Sequence, residues 1–423
     1  MALSVVAIAI AVSFLFEAWL DRRQIRHVLA HREQVPPVFR HTVSVEDHQK
    51  AAAYTVAKLR LGMARAAASA IAIFLLLVAG GFALIHSIVT TTLGTGYVGS
   101  VILAGILVLI SALVSLPFDY LRVFWIETKF GFNRTTHRLF LVDLGKSAAL
   151  TIVVLVPLVL SIDYAMRQLG SWWWLGVWGI FVAFNLLALL VVPTFIMPLF
   201  NKFEPLEDEG LRARIETLMR RCGFHAKGIF RMDASKRSSH GNAFFTGVGP
   251  SKRIVLFDSL LERLTPAEIE AVLAHELGHF KLRHILKRFL LHFGGSLLIL
   301  AFLGWLIDQD WLYESFGIDP SVAHDMPLTG LLLFLLILPL VSGWFKAALS
   351  HFSRRQEFAA DCYAANHASA KELGSALVKL YRDNASTLTP DPIYSAVNDT
   401  HPSAAQRIAR LQAWGGPAGV SAS

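Results

Sequence analysis

Long apolar runs alternate with polar stretches along the whole chain. Seven of these runs come close to or exceed the roughly 20 residues that a helix needs to cross a bilayer. They occupy residues 2–20, 66–92, 97–120, 147–162, 172–192, 289–307 and 328–345. No Lys or Arg precedes the apolar core of the first run, as a signal peptide would require, so we expect an uncleaved anchor. The pattern predicts a predominantly α-helical, polytopic membrane protein with seven transmembrane helices.

The positions of these runs divide the chain into four parts. We expect an N-terminal membrane domain with about five helices, a polar part, a pair of membrane helices, and a second polar part: 1–198, 199–288, 289–345 and 346–423.

The two polar parts carry their own local patterns. A helical pattern covers 206–222, and two strand-like runs follow at 242–248 and 253–257. A Gly249-Pro250 turn between these runs predicts a small β-hairpin. The small and polar tail at 415–423 is expected to be disordered.

Composition supports the membrane assignment and excludes other classes. Of 423 residues, 54% are hydrophobic and 17% are charged, and the mean hydropathy is +0.51. Soluble domains carry about 25% charged residues, so this chain cannot cover the surface of a soluble protein of its size. Two cysteines cannot form a disulfide framework. The net charge of +8 is also found in nucleic-acid-binding proteins, but basic residues lie in the loops between membrane runs, so we expect no nucleic-acid partner.

Charge in the loops predicts the orientation of the helices. The loop after the first run contains nine basic residues: Arg22, Arg23, Arg26, Arg32, Arg40, Lys50, Lys58, Arg60 and Arg65. The loop between the last two runs has no Lys or Arg and five acids: Asp308, Asp310, Glu314, Asp319 and Asp325. Basic loops stay in the cytoplasm. The N-terminus is therefore expected outside, and the C-terminus and both polar parts inside.

A helix is predicted over residues 267–284. Thr265 and Glu268 form a capping-box pattern, Pro266 suits the first helical position, and no proline follows within that range.

This helix carries an HExxH motif at residues 275–279. His275 and His279 are four residues apart, so both imidazoles face the same way and can reach one metal ion. Glu276 lies beside that face, where it can act as the general base toward an attacking water. The alternative is a chance match on an amphipathic helix.

A catalytic zinc needs three protein ligands and an open position. Arg283 and His284 have the wrong spacing to supply a third histidine. Glu357 and Asp361 share a helix face, so one can bind the metal while the other holds a ligand histidine in its tautomer. The alternative is a solvated acidic pair near the membrane, and the residues alone leave both open.

Taken together, the motifs resemble those of a known family. HExxH followed by the SRxxExxAD segment at 353–361 resembles the glutamate-type zinc membrane peptidases, and the long N-terminal membrane part is similar to that of the type-I CAAX prenyl endopeptidases. Further matching segments lie at 127–133, 198–206, 236–240, 242–244, 252–258 and 401–402, with Arg407. Gln406 stands where members often have Glu.

The resemblance implies a gluzincin-like protease domain with one zinc ion and a small β-sheet. It assigns His275, His279 and Glu357 as zinc ligands and Glu276 as the general base. Asp361 is implied as a partner of a ligand histidine, and His401 and Arg407 as groups that stabilise the oxyanion or position the substrate. Asn242, Ala243 and Phe244 would lie on an edge strand that pairs with the substrate backbone.

The implied activity is removal of the C-terminal tripeptide from prenylated Cys-a-a-X proteins at the inner membrane face. The expected partners are a peptide or protein substrate and the lipid bilayer. A bacterial inner membrane is the expected location, or the endoplasmic reticulum if the chain is eukaryotic, although the chain ends without an ER-retrieval lysine motif. A quality-control protease with the same mechanism is one alternative. A transporter or receptor is another, but its spans would need ionisable residues, and HExxH would stay unexplained.

Overall fold

The computed structural model describes residues 2–246 and 252–414. Within them, seven helical segments are long and apolar enough to cross a membrane: Ala2–His31, Val45–Leu77, Tyr97–Glu127, His137–Gln168, Gly170–Phe200, His284–Leu306 and Leu328–His367. A small β-sheet lies between the fifth and sixth of them along the chain. The predicted fold class, predominantly helical with seven spans and a small sheet, is confirmed.

The membrane part consists of helices α1 to α7. Their bounds are α1 Ala2–His31, α2 Val45–Leu77, α3 Gly81–Leu93, α4 Tyr97–Leu121, α5 His137–Gln168, α6 Trp173–Val191 and α7 Met197–Phe200. Two π-helical segments, Arg122–Glu127 and Val192–Ile196, extend α4 and α6. Interior prolines in α4 and α5, Pro117 and Pro157, are tolerated as they are in other membrane helices.

The second predicted run, 66–92, is not one helix. Helix α2 ends at Leu77, inside this run, and α3 begins at Gly81. Gly80 adopts the left-handed conformation with φ +82°, and a Cβ on Gly81 would lie 2.7 Å from the Leu75 carbonyl oxygen. The chain therefore breaks where glycines permit a turn, which hydropathy alone does not reveal.

A polar contact joins elements at one end of the membrane part. Asp163 on α5 is fully buried, and Arg167 donates from Nε to its Oδ1 at 3.1 Å. Arg167 also donates to the carbonyl oxygens of Asp325 and Thr95. One guanidinium thus connects the loop before α4, helix α5 and the loop before the last span.

The sheet contains four strands: β1 Phe203–Pro205, β2 Gly228–Met232, β3 Ala243–Thr246 and β4 Arg253–Phe257. Their order is β1-β2-β4-β3, with β2 parallel to β4 and β3 antiparallel to it. Within the described residues, strand β3 is therefore an edge strand, and of the two runs predicted at 242–248 and 253–257, residues 243–246 pair with 253–256. The predicted Gly249-Pro250 turn and the tail at 415–423 lie outside the described residues.

The remaining helices complete the polar parts and the last two spans. They are α8 Glu209–Arg221, α9 Asp258–Leu261, α10 Pro266–Lys281, α11 His284–Leu306, α12 Asp310–Glu314, α13 Pro320–Asp325, α14 Leu328–Ser342, α15 Lys346–His367, α16 Ala370–Asp383, α17 Pro392–Asn398 and α18 Ala404–Gln412.

Helix α10 is the centre of the polar part. Its capping box forms as predicted, with Thr265 and Glu268 each accepting from the other's backbone N–H. The helix ends at Lys281 instead of the predicted residue 284, because Arg283 takes φ +54° and starts a new helix in another direction. Leu273 and Leu277 bury their side chains against α8, α15 and α16 in one apolar core.

Candidate active site

Three side chains from two helices converge on one point. His275 and His279 come from α10, and Glu357 comes from α15, which packs against α10. Each offers one ligand atom, and these atoms lie within 4.8 Å of one another. His275 Nε2 lies 3.4 Å from Glu357 Oε2, and His279 Nε2 lies 3.3 Å from Glu357 Oε1. The structure thus brings Glu357 to the histidines and leaves Asp361 behind them.

The protonation of this cluster fits a bound cation. The two Nε2 atoms lie 3.2 Å apart. His275 Nδ1 is 2.9 Å from Asp361 Oδ1, so Nδ1 holds its proton, and Nε2 is the nitrogen that offers a lone pair to a metal once it has lost its own proton. Lone pairs from two imidazoles and a carboxylate that face one another are the donor set of a gluzincin-type zinc site. The described residues therefore fit one zinc ion.

Glu357 has acceptor capacity to spare for such an ion. Its side chain is 2% exposed, and its Oε2 accepts no hydrogen bond of standard geometry from the described residues. His401 Nδ1 nevertheless lies 2.8 Å from this oxygen. A buried carboxylate oxygen without a well-aligned donor is costly unless a cation satisfies it.

Behind His275, a buried ion pair holds the ring in place. Arg407 donates to both oxygens of Asp361, at 2.8 Å from Nε and 2.6 Å from Nη2. Burial works against the charge of Arg407, but the hydrogen bond to Asp361 outweighs it and keeps its pKa above the usual value. Burial likewise disfavours charged His275, yet hydrogen bonds to Asp361 and Glu357 prevail and raise its pKa to about 9. Metal binding at His275 must therefore release a proton.

His279 has a corresponding partner that the sequence did not indicate. Its Nδ1 lies 3.0 Å from Nδ1 of His284, which is 3% exposed. If His279 keeps its Nε2 lone pair for a metal, its Nδ1–H donates to His284. His284, whose spacing is wrong for a third ligand, thus contacts the predicted ligand His279 instead. Its position depends on the turn at Arg283, which no sequence pattern predicted.

The segment that carries His401 is held by the SRxxExxAD motif. Arg354 Nη1 donates to three backbone carbonyls, those of Ser395, Ala396 and Asp399, at 2.9 to 3.1 Å. His401 itself is 59% exposed and stands at the mouth of the cluster. Arg354 is therefore a positioning residue for this segment.

A cavity of about 230 Å³ opens beside the cluster. Asn242 and Ala243, from the start of the edge strand, share its lining with His275 and Glu276. Phe244 does not line it and packs edge-on against Phe257 instead.

Much of the cavity lining is aliphatic, and we call this part the aliphatic wall; no sequence pattern indicated it. Its apolar side chains come from helices α9, α10 and α16: Leu260, Val272, Leu373, Leu377 and Leu380. Tyr381 adds a phenol, and burial raises its pKa, so it stays neutral and can donate. A cavity with such an aliphatic lining suits an extended peptide with apolar side chains.

Two family descriptions together match most of the chain. "CAAX prenyl protease N-terminal, five membrane helices" matches residues 24–202, and "Peptidase family M48" matches residues 205–415. The chain is 32% identical over 408 residues to the probable CAAX prenyl protease 1 of Schizosaccharomyces pombe, covering 93% of this chain and 85% of that one.

The chain belongs to the M48 family of CAAX prenyl protease 1 homologues. It is 37% identical to CAAX prenyl protease 1 of Saccharomyces cerevisiae over 73% of this chain and 70% of that one. The crystal structure of S. mikatae Ste24p matches with a TM-score of 0.88 at 31% identity, covering 97% of this chain and 98% of that one. The predicted family is confirmed, and with it a zinc-dependent, multi-pass membrane metalloendopeptidase.

Proposed function

We propose that this M48 peptidase removes the C-terminal tripeptide from prenylated Cys-a-a-X substrates. The observation that carries the proposal is the convergence of His275, His279 and Glu357 beside a cavity with an aliphatic wall. The printed names of the relatives, CAAX prenyl protease 1, support the substrate class.

His275, His279 and Glu357 would hold the zinc ion. Zinc, when bound, polarises a carbonyl and lowers the pKa of water. Glu276 lines the cavity without joining the metal group, so it would take the proton from the attacking water and pass it to the leaving amine. Asp361 would orient His275 through its Nδ1, and Arg407 would keep Asp361 ionised.

His401 and Arg407 would stabilise charge that develops on the scissile carbonyl. Both line the cavity, and Arg407 stays cationic because Asp361 faces it. Asn242, Ala243 and Phe244 would pair with the substrate backbone, since β3 has β4 on one side only. Such pairing recognises the substrate backbone through main-chain hydrogen bonds. Selectivity for substrate side chains would then come from the aliphatic wall.

We further propose that the active site lies at the inner membrane face, with the N-terminus outside and the C-terminus in the cytoplasm. The basic end of α1 supports this arrangement, because Arg23 pairs with Asp391 of the C-terminal part at 2.9 Å. The basic loop after α1 and the peptidase part would therefore lie on the same side of the membrane. The charge rule assigns that side to the cytoplasm. The location, a bacterial inner membrane or the endoplasmic reticulum in a eukaryote, also stays a prediction. So does the division of the chain into four parts.

The test is cleavage of matched peptides by purified protein. A farnesylated Cys-a-a-X peptide and its unprenylated counterpart are incubated with wild-type and Glu276→Gln protein, and products are identified by mass spectrometry. We expect tripeptide release from both by the wild type only, faster from the farnesylated peptide, because a buried chain gains about 0.8 kcal/mol per CH₂. If zinc-loaded wild type cuts neither, CAAX activity is refuted and the quality-control alternative is favoured.

A further inference from the structure

A second cavity, of about 530 Å³, lies next to the catalytic one, at the junction of the membrane part and the peptidase part. We call it the basic pocket, because four cationic side chains line it against two carboxylates: Lys50, Arg134, Arg263 and Arg382 against Asp47 and Asp383.

The cations of the basic pocket are incompletely neutralised. Asp383 is shared between Arg382, at 2.8 Å, and Arg263, at 3.8 Å. Nη1 of Arg263 is buried and makes no hydrogen bond with the described residues. Lys50 and Arg134 form no ion pair within 4.0 Å in the part of the chain that the structure describes. The pocket therefore suits an anion.

The linings of this pocket and of the catalytic cavity meet at one pair of side chains. His240 Nδ1 lies 3.0 Å from Asn384 Oδ1. Ser239 lines the basic pocket, whereas Gly241 lines the catalytic cavity. On the other side of the contact, Ala385 faces the basic pocket and Asn384 the catalytic cavity. The two cavities thus adjoin across the His240–Asn384 pair, and its two half-buried side chains are the partition.

The direction of a bound peptide follows from the edge strand. Antiparallel addition to β3 is the more stable pairing. The substrate's C-terminal side then runs from Asn242 toward Gly241 and Ser239. Because Asn242 and Ala243 share the cavity with His275, the scissile bond lies at their level.

The leaving segment is long enough to reach the edge of the basic pocket. Three extended residues reach about 10 Å. The segment from Asn242 back to Ser239 also spans at most about 10 Å. The carboxylate of a leaving tripeptide therefore arrives beside Ser239, at the partition and the cations behind it.

We propose that the basic pocket binds the C-terminal carboxylate of the substrate and so measures the three residues that are removed. This inference rests on the proposed function, and it adds the group that fixes the cleavage position. Opening of the His240–Asn384 contact admits the carboxylate to the guanidinium groups of Arg263 and Arg382.

The test compares two farnesylated peptides of one sequence, one ending in a free carboxylate and one in a carboxamide. The measured quantity is the ratio of kcat/KM for acid over amide, which cancels differences in folded fraction between variants. For the wild type we expect a ratio of about tenfold or more, as for loss of a charge-assisted hydrogen bond. In Arg382→Gln and in Arg263→Gln the ratio should fall toward one, and Arg382→Lys should restore part of it.

The matched control is Arg220→Gln, which removes an exposed cation of α8 that lines neither cavity. It should keep the wild-type ratio. Should Arg263→Gln not fold, the exposed Arg134→Gln takes its place. Equal rates for acid and amide in the wild type, or an unchanged ratio in the pocket variants, would overturn the carboxylate site alone. Release of tripeptide from neither peptide would overturn the proposed function as well.

Discussion

Asp361→Asn should weaken zinc binding without touching a proposed ligand. Asp361 accepts two hydrogen bonds from Arg407 and one from His275 Nδ1. An asparagine has the same shape but offers only one acceptor oxygen. Its amide N–H groups would face the N–H donors of Arg407 or His275. Loss of such a partner of a ligand histidine typically costs about 10- to 100-fold in metal affinity.

The same substitution should also lower stability. Arg407 and Asp361 are 6% and 5% exposed. Removing one partner of a buried pair costs about 3–5 kcal/mol, and the oxygen that asparagine retains should keep the loss near the lower end. Zinc affinity is measured by competition with a chromophoric chelator, and stability by thermal unfolding in the same detergent.

Asp391→Asn is the matched control. Asp391 is also buried, and Arg23 donates to both of its oxygens, but it does not contact the metal group. It also caps α17, so this variant should lose stability and keep wild-type zinc affinity. Wild-type zinc affinity in folded Asp361→Asn would refute the positioning role.

Three further outcomes are expected. Gly278→Ala would place a Cβ 3.1 Å from Cα of Ala360, so it should lower the free energy of unfolding by about 1–3 kcal/mol in a denaturation experiment; an unchanged value would contradict the close packing of α10 on α15. Asn242→Ala should reduce cleavage of all peptides alike at unchanged zinc content, and a loss confined to one peptide sequence would contradict backbone pairing. A reporter after the last residue should be cytoplasmic and one within 309–326 external; the reverse would refute the charge argument.

The sequence patterns predicted those features that depend on residues close together in the chain. The capping box of α10 and the HExxH spacing depend on neighbouring residues, so they could be read directly. Apolar length likewise predicted seven spans. The break at Gly80 lies inside an apolar stretch, where hydropathy gives no signal. Strands β1 and β2 have only three and five residues, too few for a clear alternation, and their pairing partners make them strands.

Long-range contacts could not be predicted from the residues alone. The residues favoured Glu357 over Asp361 as the metal ligand without establishing it, and only the packing of α15 on α10 shows which carboxylate faces both histidines. His284 contacts His279 because of the turn between two helices. The aliphatic wall and the basic pocket combine side chains from distant segments, which no periodicity brings together.

The central claim is that His275, His279 and Glu357 hold the zinc that peptide hydrolysis requires. Elemental analysis and cleavage of the farnesylated peptide, measured on the same samples of wild type, Glu276→Gln and Glu357→Ala, test it directly. The account predicts one zinc per chain in the first two proteins, loss of zinc in the third, and cleavage by the wild type only. Full zinc in Glu357→Ala, or wild-type cleavage by Glu276→Gln, would contradict it.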